Sequence, residues 1–296
     1  MDWLSAVELL RSRREAGVLV TLATVRGHSP RAAGAKMVVS AEETWGSIGG
    51  GNVEAVAVNR ARALLAESAT EPTTFTGNLS DRAPVEHGVQ CCGGEVTVLL
   101  DPLPILPAVA IFGVGHVGLE LARILARHEL DLHLVDSRPQ QLSDDALAPL
   151  SDAIARVHTH HVPVLPELVL GELPVGAHVL VMTHDHAEDV ALIDAALRTD
   201  KLGSIGLIGS SAKWTRFRKK LLEDGHELAA LERVTTPIGL PELTGKDPAT
   251  IAVGVAAALL LTFERELAVS RGHRTGSIEQ AGAIAEAPSE PIDERR

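Results

Sequence analysis

Tyrosine is absent from this chain, and aromatic residues make up only 2% of its 296 positions. The core therefore has to be built from Leu, Val, Ile and Ala, which a 45% hydrophobic content supplies. So few rings also argue against base-stacking platforms for single-stranded nucleic acid. Cysteine is nearly missing: Cys91 and Cys92 stand side by side, with no third. Neighbouring cysteines rarely pair, so no disulfide framework is expected and a reducing compartment is. Positive charge is in deficit, with a net charge of −12. That opposes non-specific binding to phosphate backbones and anionic membranes. The longest apolar run, Ile251 to Phe263, is 13 residues, too short to span a bilayer. It reads as a buried helix. The amino terminus is charged and amphipathic and does not read as a signal peptide.

Glycine is abundant, and its placement organises the chain. The apolar run Ala108 to Phe112 is followed by Gly113, Gly115 and Gly118, spaced G-x-G-x-x-G, and then by a helical pattern. The first glycine allows a tight turn, the second lets a phosphate approach, and the third lets helix and strand pack closely. The next apolar run ends in Asp136, 18 residues past Gly118, where a ribose-binding acid is expected. Strands and helices then alternate, with strands at Val179 to Met182 and Ser204 to Ile208. Helices are expected at Glu188 to Thr199, Lys213 to Leu222 and Pro248 to Ala268. Alternation of this kind means a Rossmann-like, doubly wound parallel sheet in an α/β domain.

A smaller α+β domain precedes it. A helix is expected over Asp2 to Ala16, stopped by Gly17. Strands follow at Val18 to Val25 and Lys36 to Ser40, with a hairpin into Thr44 to Ile48. Gly49, Gly50 and Gly51 then open a helix over Val53 to Glu67. They form either a second phosphate cradle or an ordinary glycine turn. Two extended pieces complete the domain, Pro72 to Thr76 and Glu95 to Leu100. The stretch Asp101 to Pro107 holds three prolines and reads as a linker. The expected organisation is an α+β domain over 1–103, a Rossmann-like domain over 104–269 and a disordered tail over 270–296.

The segment Gln90 to Gly94, QCCGG, carries the most chemistry. A thiolate there is a nucleophile and a soft metal ligand, given access by the flanking glycines. A pair of small buried residues at a strand start fits equally well. Successive side chains of a strand point to opposite faces, so only one of the two thiols is expected to work. His184, Asp185 and His186 stand at a strand's carboxyl end, where such folds bind ligands, and suit a metal or proton transfer. VHTHHV, Val157 to Val162, reads as a polar loop. Lys213 and Arg216 suit either an anion or a solvated basic face.

With these residues in view, the chain resembles the XdhC/CoxI family, accessory proteins of xanthine dehydrogenase and related molybdenum hydroxylases. The resemblance rests on GSIGGGNVEA, GVQCCGGEVTVLL, FGVGHVG with VDSRP, MTHDH, and IGLIGSSAKWTRFRKKL followed by TPIGLPELTGKDPATIA. It runs from Gly46 to Ala252. It implies a cytoplasmic carrier that binds the molybdenum cofactor (molybdopterin), rather than an enzyme. The carrier holds the cofactor while a cysteine desulfurase sulfurates it, then inserts it into the molybdenum-binding subunit of xanthine dehydrogenase. It also implies a homodimer, and cofactor binding by Cys92, with Cys91 beside it; Cys92 is the implied molybdenum ligand. The phosphate of the pterin suits Gly49, Gly50 and Gly51, or Gly113, Gly115 and Gly118 with Asp136. A ligand held between the two domains would use both the glycine-turn crevice and the QCCGG loop. The alternatives are an NAD(P)-dependent oxidoreductase and a scaffold that binds no ligand.

Overall fold

The computed structural model describes residues 1–78 and 94–281, with side chains of the final helix described through Leu267. Cys91 and Cys92 lie outside the described residues, as does 282–296. The described residues divide into two compact units, Met1–Ile105 and Leu106–Glu264, and the final helix runs on past Glu264 to Ala281.

The first unit is an antiparallel sheet with a helix on each face. Its elements are α1 (Trp3–Arg13), β1 (Gly17–Arg26), β2 (Lys36–Val39), β3 (Thr44–Gly46), α2 (Gly51–Ala66), β4 (Thr73–Asn78) and β5 (Glu95–Leu103), with strand order β3-β2-β1-β5-β4. Asp2 caps α1, its carboxylate accepting from the Leu4 and Ser5 amides at 2.9 and 3.1 Å. The helix ends at Arg14, in the left-handed region at φ 52°, and not at Gly17 as expected. Gly17 instead begins β1, where a Cβ would strike the Leu10 side chain. Val18, Val20 and Leu22 of β1 pack with Val53, Ala57 and Ala61 of α2. Ala6 and Leu10 of α1 pack with Val38 in a separate cluster.

β5 runs three residues into the expected linker. Asp101, Pro102 and Leu103 pair with Leu19, Val18 and Gly17 of β1. A proline is tolerated there because the pairing with β4 has already ended at Leu100.

The second unit is the expected parallel sheet. Its elements are β6 (Ala108–Phe112), α3 (His116–Leu125), β7 (Asp131–Asp136), α4 (Asp144–Leu147), β8 (Arg156–His161), α5 (Val169–Glu172), β9 (His178–Val181), α6 (His186–Leu197), β10 (Ser204–Leu207), α7 (Ser211–Glu223), α8 (Leu228–Leu231), β11 (Val234–Thr235) and α9 (Pro248–Ala281). Six parallel strands run in the order β11-β10-β9-β6-β7-β8. The strand order reverses between β6 and β9. A crevice opens there, outside the carboxyl ends of the strands.

Alternation along β6 feeds two cores. Ala108, Ala110 and Phe112 join the cluster of Leu192, Ile193, Phe217 and Leu221 from α6 and α7. Val109 and Ile111 join Leu121 and Leu125 of α3 and Val255, Leu259 and Phe263 of α9. Each large apolar side chain, fully buried, contributes about 1.5–3 kcal/mol. This two-sided burial makes the strands read as continuous apolar runs. α9 continues through Ala281, past the expected end at Ala268. Among the described residues, no helix is long and apolar enough to cross a membrane.

Candidate functional site

The glycine turn after β6 supplies the centre of the crevice, and its three glycines do different things. Gly113 has φ 101°, and a Cβ there would collide with the backbone of Met182. A Cβ on Gly118 would collide with the Gly113 carbonyl, so this glycine sets how closely α3 packs on β6. Gly115 has an ordinary φ of −79° and caps α3 without a side-chain acceptor. In front of it the space is open: a Cβ would meet only Arg138 Nη2, at 3.9 Å. The turn therefore exposes the amino end of a ten-residue helix beside a guanidinium. Both attract an anion.

Asp136 does not present a free carboxylate there. Its Oδ1 accepts from the Arg138 amide and Nε, each at 2.9 Å. Its Oδ2 accepts from the Val114 amide at 2.7 Å and from Arg138 Nη2 at 2.9 Å. Four donors fill about the four acceptor positions that a carboxylate has. Burial pushes the Asp136 pKa up, but the hydrogen bonds from Arg138 and Val114 outweigh it and hold the group below the usual carboxylate range. Asp136 thus aims Arg138 at the turn. A ribose hydroxyl would have to displace a donor that is already engaged.

Across the crevice, Glu188 lies in the first turn of α6. Burial, with Asp136 adding to it, raises its pKa above the ordinary carboxylate value, although His184 works the other way. Asp185 caps α6, accepting from the Ala187 and Glu188 amides at 2.6 and 3.3 Å. Its carboxylate is therefore engaged by the helix. Among the described residues, no group of three or more His, Cys, Asp or Glu side chains is arranged to hold a metal ion. His133, His158 and His160 do cluster on β7 and β8. The His133 ring stacks on His158 at 4.6 Å, and its Nδ1 lies 3.1 Å from His160 Nε2. VHTHHV is thus largely β8, not a loop.

Behind α6 lies a second polar centre that no sequence motif announces. Asp189 is fully buried, and its Oδ2 accepts from Lys213 Nζ at 2.5 Å. Its Oδ1 accepts from the Thr183 amide and hydroxyl at 3.1 and 2.8 Å. The pair ties the loop after β9 to α6 and α7. The available signal is an Asp in the first turn of one helix and a Lys in the first turn of the next.

The glycine run of the first unit is likewise occupied by its own chain. Gly49, Gly50 and Gly51 have φ of 132°, 74° and 66°, which only glycine adopts at little cost. Glu54 Oε2 accepts from Ser47 Oγ at 2.6 Å and from the Ile48 and Gly50 amides at 2.9 and 3.0 Å. A carboxylate therefore sits where a phosphate would meet those amides. Burial raises the Glu54 pKa, and these hydrogen bonds outweigh it and lower it. Gly94, the last residue of QCCGG, is buried, and a Cβ would collide with the His28 and Arg26 carbonyls. Close backbone packing explains this glycine.

Comparison with known proteins fits this arrangement. The family model described as the XdhC Rossmann domain matches residues 109–259, and that of the XdhC and CoxI family matches residues 10–76. The molybdenum cofactor insertion chaperone PaoD of Escherichia coli is 27% identical over 85% of each chain. The uncharacterized protein YqeB of Escherichia coli is 24% identical over 79% of this chain, which spans 41% of YqeB. A probable xanthine dehydrogenase subunit of Bacillus subtilis is 28% identical over 54% of this chain and 44% of its own length. A crystal structure from Bacillus halodurans, described as a xanthine dehydrogenase, is 18% identical with a TM-score of 0.46, covering 90% of this chain and 96% of that one. The chain belongs to the XdhC/CoxI family.

Proposed function

We propose that this protein carries the molybdenum cofactor and inserts it into xanthine dehydrogenase or a related molybdenum hydroxylase. The observation that carries this reading is the match to PaoD along most of both chains, in a family whose two parts are present in order. The cofactor is cargo: a pterin bearing a phosphate and a dithiolene-bound molybdenum. The residues at the glycine turn suit the phosphate. Gly115 leaves the approach open, the amino end of α3 offers a positive dipole end, and Arg138 offers a charged donor. Cys92, with Cys91 beside it, supplies the soft thiolate suited to molybdenum. Gly49, Gly50 and Gly51 contribute if the phosphate takes the place of the Glu54 carboxylate. Gly113, Gly118 and Asp136 act indirectly, by shaping the turn and aiming Arg138.

On this reading the cofactor is held while a cysteine desulfurase sulfurates it. It is then passed to the molybdenum-binding subunit by a cytoplasmic homodimer without turnover of its own. The sheet order favours a second reading, an NAD(P)-dependent oxidoreductase, because β8-β7-β6-β9-β10-β11 is the order that binds dinucleotides. The engaged Asp136 weighs against a ribose there. Reconstitution separates the two: protein loaded with cofactor should activate an apo molybdenum hydroxylase. Failure with its proper partner enzyme, together with stoichiometric binding of a reduced nicotinamide cofactor, would favour the second reading.

A further inference from the structure

The glycine turn does not account for the larger of two cavities described in the second unit. A cleft of about 600 Å³ lies between α6 and α7, lined by His186, Val190, Ile208, Ser210, Arg216 and Phe217 among others. This is within the roughly 300–1,000 Å³ of small-molecule sites. None of Gly113, Gly115, Asp136 or Arg138 lines it. It lies by the next pair of strands, outside the ends of β9 and β10.

The charges around it sort by partner. Lys213 also borders the cleft, but Asp189 neutralises it, and its Nζ donates to the Ile208 carbonyl as well, at 2.9 Å. Asp185 is turned onto the amides of α6. Farther along α7, Lys219 and Lys220 pair with Glu223 and Asp224. Arg216 has no ion pair or hydrogen bond among the described residues, and it faces the cleft. Ser210 caps α7, its hydroxyl accepting from the Lys213 amide at 3.3 Å with its own proton free to donate. The rest of the lining includes the apolar Val190, Ile208 and Phe217. Phe217 is buried, with Lys213 Nζ over its ring at 5.2 Å and the His186 ring edge-on to it at 6.1 Å, which leaves Val190 and Ile208 as the accessible apolar surface. A cation and a hydroxyl in one cleft with part-exposed apolar side chains match a ligand that is anionic at one end and flat at the other.

We propose that this cleft binds a phosphate ester of a planar heterocycle, with Arg216 and Ser210 on the phosphate and the ring against Val190 and Ile208. A nucleotide and a pterin phosphate share that chemistry. The site is separate from the glycine turn, and the proposal does not depend on molybdenum. Purified full-length protein is titrated calorimetrically with inorganic pyrophosphate, with ADP and with an oxidised pterin monophosphate. The expected result is saturable binding of one of the two heterocycles more tightly than of pyrophosphate. Which heterocycle it is identifies the source. Arg216→Glu should weaken that binding by about tenfold or more, the scale of one lost charge-assisted hydrogen bond. Gly115→Val closes the glycine turn, so the titrations are repeated in that background, where binding at the cleft should persist and Arg216→Glu should still weaken it. Arg216 is exposed and unpaired among the described residues, so the variant should keep the wild-type melting temperature. No binding of either heterocycle at millimolar concentration overturns the proposal. So does binding no tighter than that of pyrophosphate, or, in the Gly115→Val protein, binding that is absent or that Arg216→Glu leaves intact. Failure here leaves the cofactor-carrier reading standing, since that reading rests on molybdenum content and transfer.

Discussion

Arg138 grips Asp136, two residues earlier, through its amide, its Nε and its Nη2, and the same Nη2 looks across open space to Gly115. One acid thereby fixes a guanidinium at the mouth of a helix. Its side chain is only 2% exposed, against 27% for Arg138. Asp136→Ala should therefore cost about 1.5–3 kcal/mol, the range for a charge-assisted hydrogen bond, read from urea denaturation. Arg138→Ala should cost less, because the Val114 amide and the amide of residue 138 still donate to Asp136, yet it should weaken anion binding more. The folded-state pKa of Asp136 is depressed. Its contribution is thus complete above the unfolded value of about 3.9 and lost as pH falls through the folded value. Wild type should lose stability in acid below about pH 4 more steeply than Asp136→Asn.

The glycines of the turn should separate in a thermal melt. Gly113→Ala forces a side chain into a left-handed backbone and into Met182, and should destabilise by at least about 1–3 kcal/mol. Gly115→Ala enters open space at an ordinary φ and should change stability by under about 1 kcal/mol. Loss of ligand without loss of melting temperature at Gly115, and the reverse at Gly113, is the expected pattern.

The buried pair Asp189 and Lys213 should behave as a unit. Lys213→Met alone leaves a buried carboxylate uncompensated and should cost about 3–5 kcal/mol. The double variant Asp189→Leu with Lys213→Met should cost less than the sum of the two single changes. Its coupling energy, measured in a double-mutant cycle, should be about 1 kcal/mol or more.

His160 should make the protein acid-labile near neutrality. Burial lowers its pKa, with His158 adding to this, while Glu172 opposes. A histidine held below its unfolded value of about 6.5 binds its proton later in the folded state than in the unfolded chain. Stability should therefore be full above about pH 6.5 and fall as pH drops through the folded value. Urea midpoints for wild type and His160→Gln should diverge at pH 8 and approach each other at pH 5.

Much of the second unit was legible in the sequence because β6, the turn and α3 obey local rules: an apolar run, spaced glycines, an acid at the end of the next strand. β11 was not, since two residues, Val234 and Thr235, carry no period. β5 through Pro102 was hidden because proline signals a break, and only the end of β4 makes it harmless. At the site, sequence located Gly115 and Asp136 but could not say that Asp136 faces inward to Arg138. The same holds for Glu54 at Gly50. In both places a carboxylate of the chain fills donors that a motif leaves nominally open, and only the folded geometry reveals it.

What the protein carries is the central claim. Molybdenum per chain by metal analysis, with pterin by fluorescence after oxidation, should approach one of each in protein made alongside cofactor synthesis. Both should fall to background in Cys92→Ala of unchanged melting temperature. Protein that takes up neither, or a Cys92→Ala variant that keeps both, would contradict the account.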